Sequence, residues 1–205
     1  MHMFTCTIEQ DAGLTPGVVF GLAVSHLHLH HPGQVGIAFP EAQTGKPREF
    51  DQPMPPTLGT TLQVFGDDAV LEHARTLMLP LGDYLRVGRV RLVRPTAEQI
   101  IVRRRRALDK TTPAAMARAL RRTVRLAEQK GRPLSEEALA ERRQKIAQAS
   151  YGFPADHLPY LTLRSLSTKS RMMVHFETTT VAAACPGTFD SYGFSKNGAT
   201  LPKVG

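Results

Sequence analysis

The stretch MFTCTIEQDAGLTPGVVFGLAVSHLHLHHPGQVGIAFP, residues 3–40, reads as strand, helix and strand in turn. Residues 3–9 alternate loosely and are rich in β-formers, which predicts a strand. Thr15-Pro16 then opens a helix, with Thr at the N-cap and a proline whose missing N–H is harmless in the first turn. The helix runs through VVFGLAVSHLHLHH and stops at Pro32-Gly33, although the His–Leu alternation at its end also fits a short strand. QVGIAF at 34–39 supplies the second strand, closed by Pro40. Beyond a polar, proline-rich loop over 40–58, a second unit follows. It has a strand at 60–65, a helix from Asp67 to about Leu77 behind Gly66-Asp67-Asp68, and a strand over 84–93. The order β-α-β-β-α-β is the ferredoxin-like arrangement. The expected fold class is therefore α+β, with a ferredoxin-like domain over residues 1–95.

Residues 96–205 form the second expected domain, also α+β. AEQIIVRRRR (97–106) predicts a strand ending in an arginine run. Thr112-Pro113 opens a helix that continues to about Gln129, where Gly131 and Pro133 end it. Ser135 caps a further helix over 136–149. Strands are expected at 159–164, 171–178 and 189–194, with a short one at 181–184.

The chain has 205 residues, 41% of them apolar, which is enough for a packed core and excludes wholesale disorder. Its apolar runs are short, so no membrane span is expected, and the opening residues do not read as a signal peptide. Cys6 and Cys185 are the two cysteines, too few for a disulfide framework or a cysteine-rich zinc site. The expected location is the cytoplasm.

Charge is unevenly spread. The net charge is +8, yet residues 103–133 alone hold eleven Lys and Arg against Asp109 and Glu128, a local +9. The rest of the chain sums to near neutrality. A basic element of this kind suits a polyanion, nucleic acid first and an anionic membrane surface second. On a helix, Arg118, Arg121, Arg122 and Arg125 fall within about 60° of one direction. Met116, Leu120, Val124 and Ala127 cluster opposite. One face would pack while four guanidiniums face a groove, gripping phosphates and able to read guanine bidentately. The A-form major groove admits a helix only where it opens near a helix end or loop, so a short RNA hairpin is the matching duplex. In an extended run, Arg104 and Arg106 point the same way and reach one groove together.

Four histidines lie in HLHLHH: His26, His28, His30 and His31. His26 and His30 stand i,i+4, as metal ligands on a helix do, but no carboxylate or thiol lies nearby in sequence to complete a set. No metal and no cofactor are expected. An imidazole here could instead serve as general acid or base, since it titrates near neutrality. LPYLTLRSLSTKS (158–170) sets Arg164, Ser165, Ser167 and Thr168 at a strand end, suited to phosphate and ribose. SYGFSKNG (191–198) reads as a strand and glycine turn carrying Tyr192. No Walker A or dinucleotide fingerprint is present.

GIAFP (36–40), LPYLTLRSLST (158–168) and SYGFSKNG (191–198), in this order with the arginine-rich helix between the first two, resemble the repeat-specific CRISPR endoribonucleases of type I-F systems, the Csy branch. The resemblance spans nearly the whole chain. It implies a ferredoxin-like N-terminal domain and a C-terminal domain, 96–205, that holds a repeat hairpin with the helix at about 113–130 in its major groove. It implies metal-independent cleavage of precursor CRISPR RNA at the 3′ base of the hairpin. The 2′-hydroxyl would attack the adjacent phosphate and leave a 2′,3′-cyclic phosphate. The protein would then stay on the hairpin as a subunit of the type I-F surveillance complex, with its other subunits as partners.

Residue by residue, the family's catalytic histidine, late in the first helix, matches His28, with His26 as rival. Its active-site serine matches Ser165, and the RNA contacts that follow match Ser167 and Thr168. Its tyrosine matches Tyr192, and its base-reading pair matches Arg104 and Arg106. The family commonly has Gln where Arg106 stands, which leaves open the base pair read there. Met172 takes the place of an aromatic residue that stacks on the hairpin. The helical region 113–149 is longer than in compact members and is similar to that of transposon-associated relatives. Two alternatives stand beside this reading: within the resemblance, a crRNA-hairpin-binding subunit that does not cleave, and from the charge, a basic DNA-binding regulator using the 113–130 helix.

Overall fold

The structure, a computed structural model, describes residues 1–9, 13–45, 54–94, 98–105, 113–151, 157–164 and 171–204. In chain order the structure has β1 (His2–Ile8), α1 (Pro16–His30), β2 (Gly36–Ala38), β3 (Thr61–Gly66), α2 (Asp68–Met78), β4 (Leu85–Val87), β5 (Arg91–Leu92) and β6 (Gln99–Arg104). Next come α3 (Pro113–Gln129), α4 (Glu136–Tyr151), β7 (Tyr160–Arg164) and β8 (Arg171–Val181). Three short strands, β9 (Thr188–Phe189), β10 (Ser195–Lys196) and β11 (Leu201–Pro202), finish the chain.

The N-terminal sheet has the order β2-β3-β1-β4, every pairing antiparallel. Each helix thus joins two strands that flank a third, the split βαβ unit of the ferredoxin-like fold. The expected βαββαβ order is present, and the fold class is α+β. Helix α1 begins at Pro16 and settles the reading of HLHLHH: these residues are helical through His30.

A second sheet, in the order β11-β6-β8-β7, comes from the C-terminal half. Helix α1 packs against its β7, and small residues make that approach possible. A Cβ on Gly17 would meet the Tyr160 carbonyl at 3.1 Å, and one on Gly21 would overlap the Thr162 carbonyl. A helix covered on two sides needs apolar residues around much of its girth, and Val19, Phe20, Ala23, Val24 and Leu27 are all buried. The core continues from one sheet to the other. Phe20, Phe39, Phe176 and Phe194 follow one another in ring contact with centroids 4.9 to 5.6 Å apart.

Three expected strands differ from those observed. The strand at 84–93 is two pieces, β4 and β5, both on β1. Between them Gly88 still donates its N–H to the Thr5 carbonyl, while its own carbonyl accepts from Arg75 Nε at 3.0 Å, and the ladder breaks at 88–90. No strand forms at 181–184, because β8 runs to Val181 and the chain then bends. The strand at 189–194 is mostly a turn. Asp190 Oδ1 accepts the amides of Tyr192 at 2.9 Å and Phe194 at 3.0 Å, and Gly193 has φ +88°. Local Asp–Gly turn chemistry outweighs the β propensity of Tyr192 and Phe194.

Helix α3 ends as its sequence predicts. Gly131 takes φ +65°, Arg132 N–H reaches the Ala127 carbonyl at 2.9 Å and Gly131 N–H reaches Glu128 at 3.0 Å, the Schellman pattern. Ser135 Oγ accepts the Ala138 amide at 3.2 Å and caps α4. Among the described residues, no helix is long and apolar enough to cross a membrane.

Candidate functional site

The histidines at the end of α1 fan out around the helix. His28 and His26, two residues apart, leave it in opposite directions. His26 stacks loosely with His30, ring centroids 6.5 Å apart. His31 is buried, directs Nδ1 to Gln34 Oε1 at 3.2 Å, and meets His73 edge-on. His28 turns toward the C-terminal turn. Its Nδ1 lies 3.3 Å from the Ser191 carbonyl oxygen, and its ring stacks on Tyr192 at 4.2 Å with 15° between planes. A carbonyl can only accept, so this contact puts the proton on Nδ1. It leaves the Nε2 lone pair available as a proton acceptor.

The turn that receives His28 is held by several elements. Asp190 caps it internally. The Gly193 carbonyl accepts the Ile37 amide at 3.0 Å, which ties the turn to β2 and to the GIAFP segment. Ser195 Oγ accepts the Val102 amide at 3.1 Å, which ties it to β6. A side chain at Gly193 would press on Ile37 Cγ2 at 2.9 Å, so the glycine serves both the positive φ and the close approach. Phe194, fully buried, anchors the turn beneath.

Strand β6 brings the arginine run to the same place. Arg104 Cζ lies 5.4 Å from the centroid of the Tyr192 ring, within cation–π range. Arg105, just past the strand, pairs with Glu177 at 2.8 Å. Tyr192 therefore touches both the helix-end imidazole and the basic strand. Arg106 lies outside the described residues.

The arginine face of α3 is as the helical spacing predicts. Arg118, Arg121, Arg122 and Arg125 are all exposed, while Met116, Leu120, Val124 and Ala127 are half-buried. Leu120 and Val124 share an apolar groove with Leu139 of α4.

Arg164 is exposed at the end of β7. Ser165, Ser167 and Thr168 lie outside the described residues. Sequence reasoning passed over Arg171, which the β7–β8 register sets directly opposite Arg164. Like charges face to face across a ladder repel, and an anion between them would relieve the repulsion. The clue lay in pairing β7 and β8 as one hairpin.

Cys6 is a core residue, its thiol pushed up to about 12 by burial. Among the described residues, no group of three or more His, Cys, Asp or Glu side chains is arranged to hold a metal ion. His26 and His30 thus stand as a pair, without a third ligand of these types among those residues.

A family model described as "CRISPR-associated protein (Cas_Csy4)" matches residues 7–204. No curated protein matches the chain.

Proposed function

The chain belongs to the Cas_Csy4 family of CRISPR-associated proteins, a family of CRISPR RNA processing, and on that premise we propose that it is a metal-independent endoribonuclease. It cuts precursor CRISPR RNA at the 3′ base of the repeat hairpin, and it remains on the product as a subunit of a type I-F surveillance complex. One observation carries the assignment of the base: His28 is the helix-end imidazole that meets the Ser191–Tyr192 turn, with Nδ1 on a carbonyl and Nε2 left to accept a proton. His26 is instead in ring contact with His30, which favours His28 over its rival.

A ribose 2′-hydroxyl is a poor nucleophile at neutral pH. His28 Nε2 takes its proton as the oxygen attacks the adjacent phosphorus. The bond from phosphorus to the 5′-oxygen breaks. The leaving 5′-oxygen takes a proton from solvent, so the products are a 2′,3′-cyclic phosphate and a 5′-hydroxyl, and the proton on His28 returns to solvent. Tyr192 holds the imidazole plane by stacking. Ser165, one peptide bond beyond the end of β7, positions the ribose for in-line attack. Arg118, Arg121, Arg122 and Arg125 grip hairpin phosphates, with Arg104 and Arg106 reading base edges and Arg164, Ser167 and Thr168 holding the strand near the cut. None of these roles uses a metal ion.

Incubating a cognate repeat hairpin with the protein in EDTA tests this. Cleavage to a 2′,3′-cyclic phosphate is expected. His28→Ala should lower the rate by on the order of 10²–10⁴-fold, as loss of a general base does, while hairpin affinity stays within about twofold of wild type. Full activity in that variant removes His28 from the mechanism. Tight binding of uncut RNA by the wild-type protein would make the chain a binding subunit.

A further inference from the structure

The near-neutral remainder of the chain hides a second concentration of arginine. RVGRVRLVR, residues 86–94, has four arginines and no acid. It runs along β1 as β4 and β5, on the far side of β1 from β3. Arg86 is paired with Glu9 at 3.1 Å. Arg89, Arg91 and Arg94 are exposed, and none has an ion pair among the described residues. Arg91 and Arg94 wall a cavity of about 390 Å³ whose apolar lining includes Met3, Val93 and Val204. That volume lies within the range of small-ligand sites, about 300–1,000 Å³. Beside it Leu92 is 67% exposed, the most open large apolar side chain among the described residues.

We propose that this edge binds the single-stranded RNA that flanks the hairpin, with phosphates on Arg89, Arg91 and Arg94 and a base in the cavity. The proposal rests on the RNA-processing reading above and extends it to a part of the substrate outside the duplex. Three observations favour this occupant. Charge complementarity calls for a polyanion. An apolar floor between guanidiniums suits a nucleobase, which offers a flat face to stack while its phosphate meets a cation. The strand edge is also too short to template a peptide strand: β5 has two residues, and the ladder breaks at 88–90.

Charged side chains on an edge strand also guard against pairing with another chain. Shortness and the break already serve that end here. Guarding an edge does not account for two arginines walling an apolar cavity.

The test measures binding by fluorescence anisotropy over a range of KCl concentrations. The probes are the minimal repeat hairpin and the same hairpin with a short oligouridine extension on its 5′ or 3′ side. Each carries a 2′-deoxy nucleotide at the scissile position, so that binding is read without cleavage. The wild-type protein should bind one extended RNA more tightly than the minimal hairpin and with a steeper salt dependence. Arg89→Gln, Arg91→Gln and Arg94→Gln together should abolish that increment and flatten the log–log salt slope by about 2, at roughly 0.7 per single-strand phosphate neutralised. Affinity for the minimal hairpin should be unchanged. Arg86→Gln, which removes an arginine already paired, should keep most of the increment.

The proposal falls if neither extension adds affinity, or if the triple variant keeps the increment. It also falls if the triple variant, shown to be folded by its unchanged thermal midpoint, loses the minimal hairpin too, since the edge would then serve the duplex. Binding of polyglutamate that the triple variant loses, with no RNA increment in wild type, would assign the edge to an acidic protein. Failure of the wild-type protein to bind any hairpin would overturn the RNA-processing reading itself, and this proposal with it.

Discussion

The turn at 190–195 is tied to β2, to β6 and to its own Asp190, whereas helix α3 offers its four arginines from an exposed face while its apolar residues Leu120 and Val124 meet α4. The imidazole of His28 sits half-buried against the first region, and an exposed face of four arginines sits on the second. Chemistry at one phosphorus atom demands that a base be held to within a fraction of an ångström, which needs a supporting shell. Phosphate affinity is a sum of many screened contacts and tolerates side-chain freedom. The two regions should therefore fail in different ways when altered.

The largest effect is expected on the charged region. Replacing Arg118, Arg121, Arg122 and Arg125 with Gln should weaken hairpin binding on the order of 10³-fold at moderate salt, at a net cost of about 1 kcal/mol for each charge removed, since glutamine keeps a neutral hydrogen bond. The salt slope should fall by about 3 to 4 units, roughly 0.9 for each phosphate no longer neutralised. Cleavage of RNA held at saturation should proceed at nearly the wild-type rate. A fall in the saturated rate together with affinity would mean that α3 helps shape the reacting strand, and the division between the regions would not hold.

A smaller change separates stacking from hydrogen bonding within the rigid region. Tyr192 meets His28 through its ring face, and no hydrogen bond of its hydroxyl is found among the described residues. Tyr192→Phe should therefore leave the cleavage rate within about twofold, while Tyr192→Ala frees the imidazole and slows single-turnover cleavage by about tenfold. That is a positioning effect smaller than loss of the proposed base, His28, itself. Neither variant should alter hairpin affinity by more than about twofold. If Phe proves as damaging as Ala, the hydroxyl contributes to the reaction directly.

Much of the fold is readable along the chain because its punctuation is local. Thr15-Pro16, Pro32-Gly33, Gly131 and Ser135 each act on their neighbours, and the helices begin and end near them. Where tertiary contacts enter, local patterns mislead: the strand expected over 84–93 is interrupted at 88–90, where Arg75 from α2 bonds the Gly88 carbonyl. The arginine face of α3 follows from 3.6-residue periodicity alone. The neighbours of His28 do not, since Ser191 lies 163 residues away and no spacing rule joins them. Only the family resemblance pointed to both His28 and Tyr192. Net charge misled in another way, because summing the remainder of the chain to near zero concealed the arginines at 86–94.

The smallest predicted effect uses two carboxylates, one on the chain next to β2, which holds the turn, and one on α4, which packs on α3. Glu41, just beyond the GIAFP segment, accepts the Thr60 amide at 2.7 Å and the hydroxyls of Thr61 at 2.6 Å and Thr60 at 3.1 Å. These bonds, the backbone one first, hold its carboxyl below the usual range. Glu141 on α4 is also held low, by hydrogen bonding and charge attraction from Lys145, but in full solvent exposure. A carboxylate depressed in the folded state stabilises it above the unfolded pKa, near 4.3, and that contribution is lost as pH falls through the folded value. Glu41→Gln should therefore lower Tm at neutral pH by no more than about 2 °C, since solvent screens an exposed group. The gap should close in acid below the folded value. Glu141→Gln should leave Tm unchanged at every pH, because an i,i+4 pair in open solvent competes with water on nearly equal terms. An equal, pH-dependent loss in both variants, read by thermal melts at neutral and acid pH, would mean that α4 is as integral to the cooperative unit as the loop beside β3.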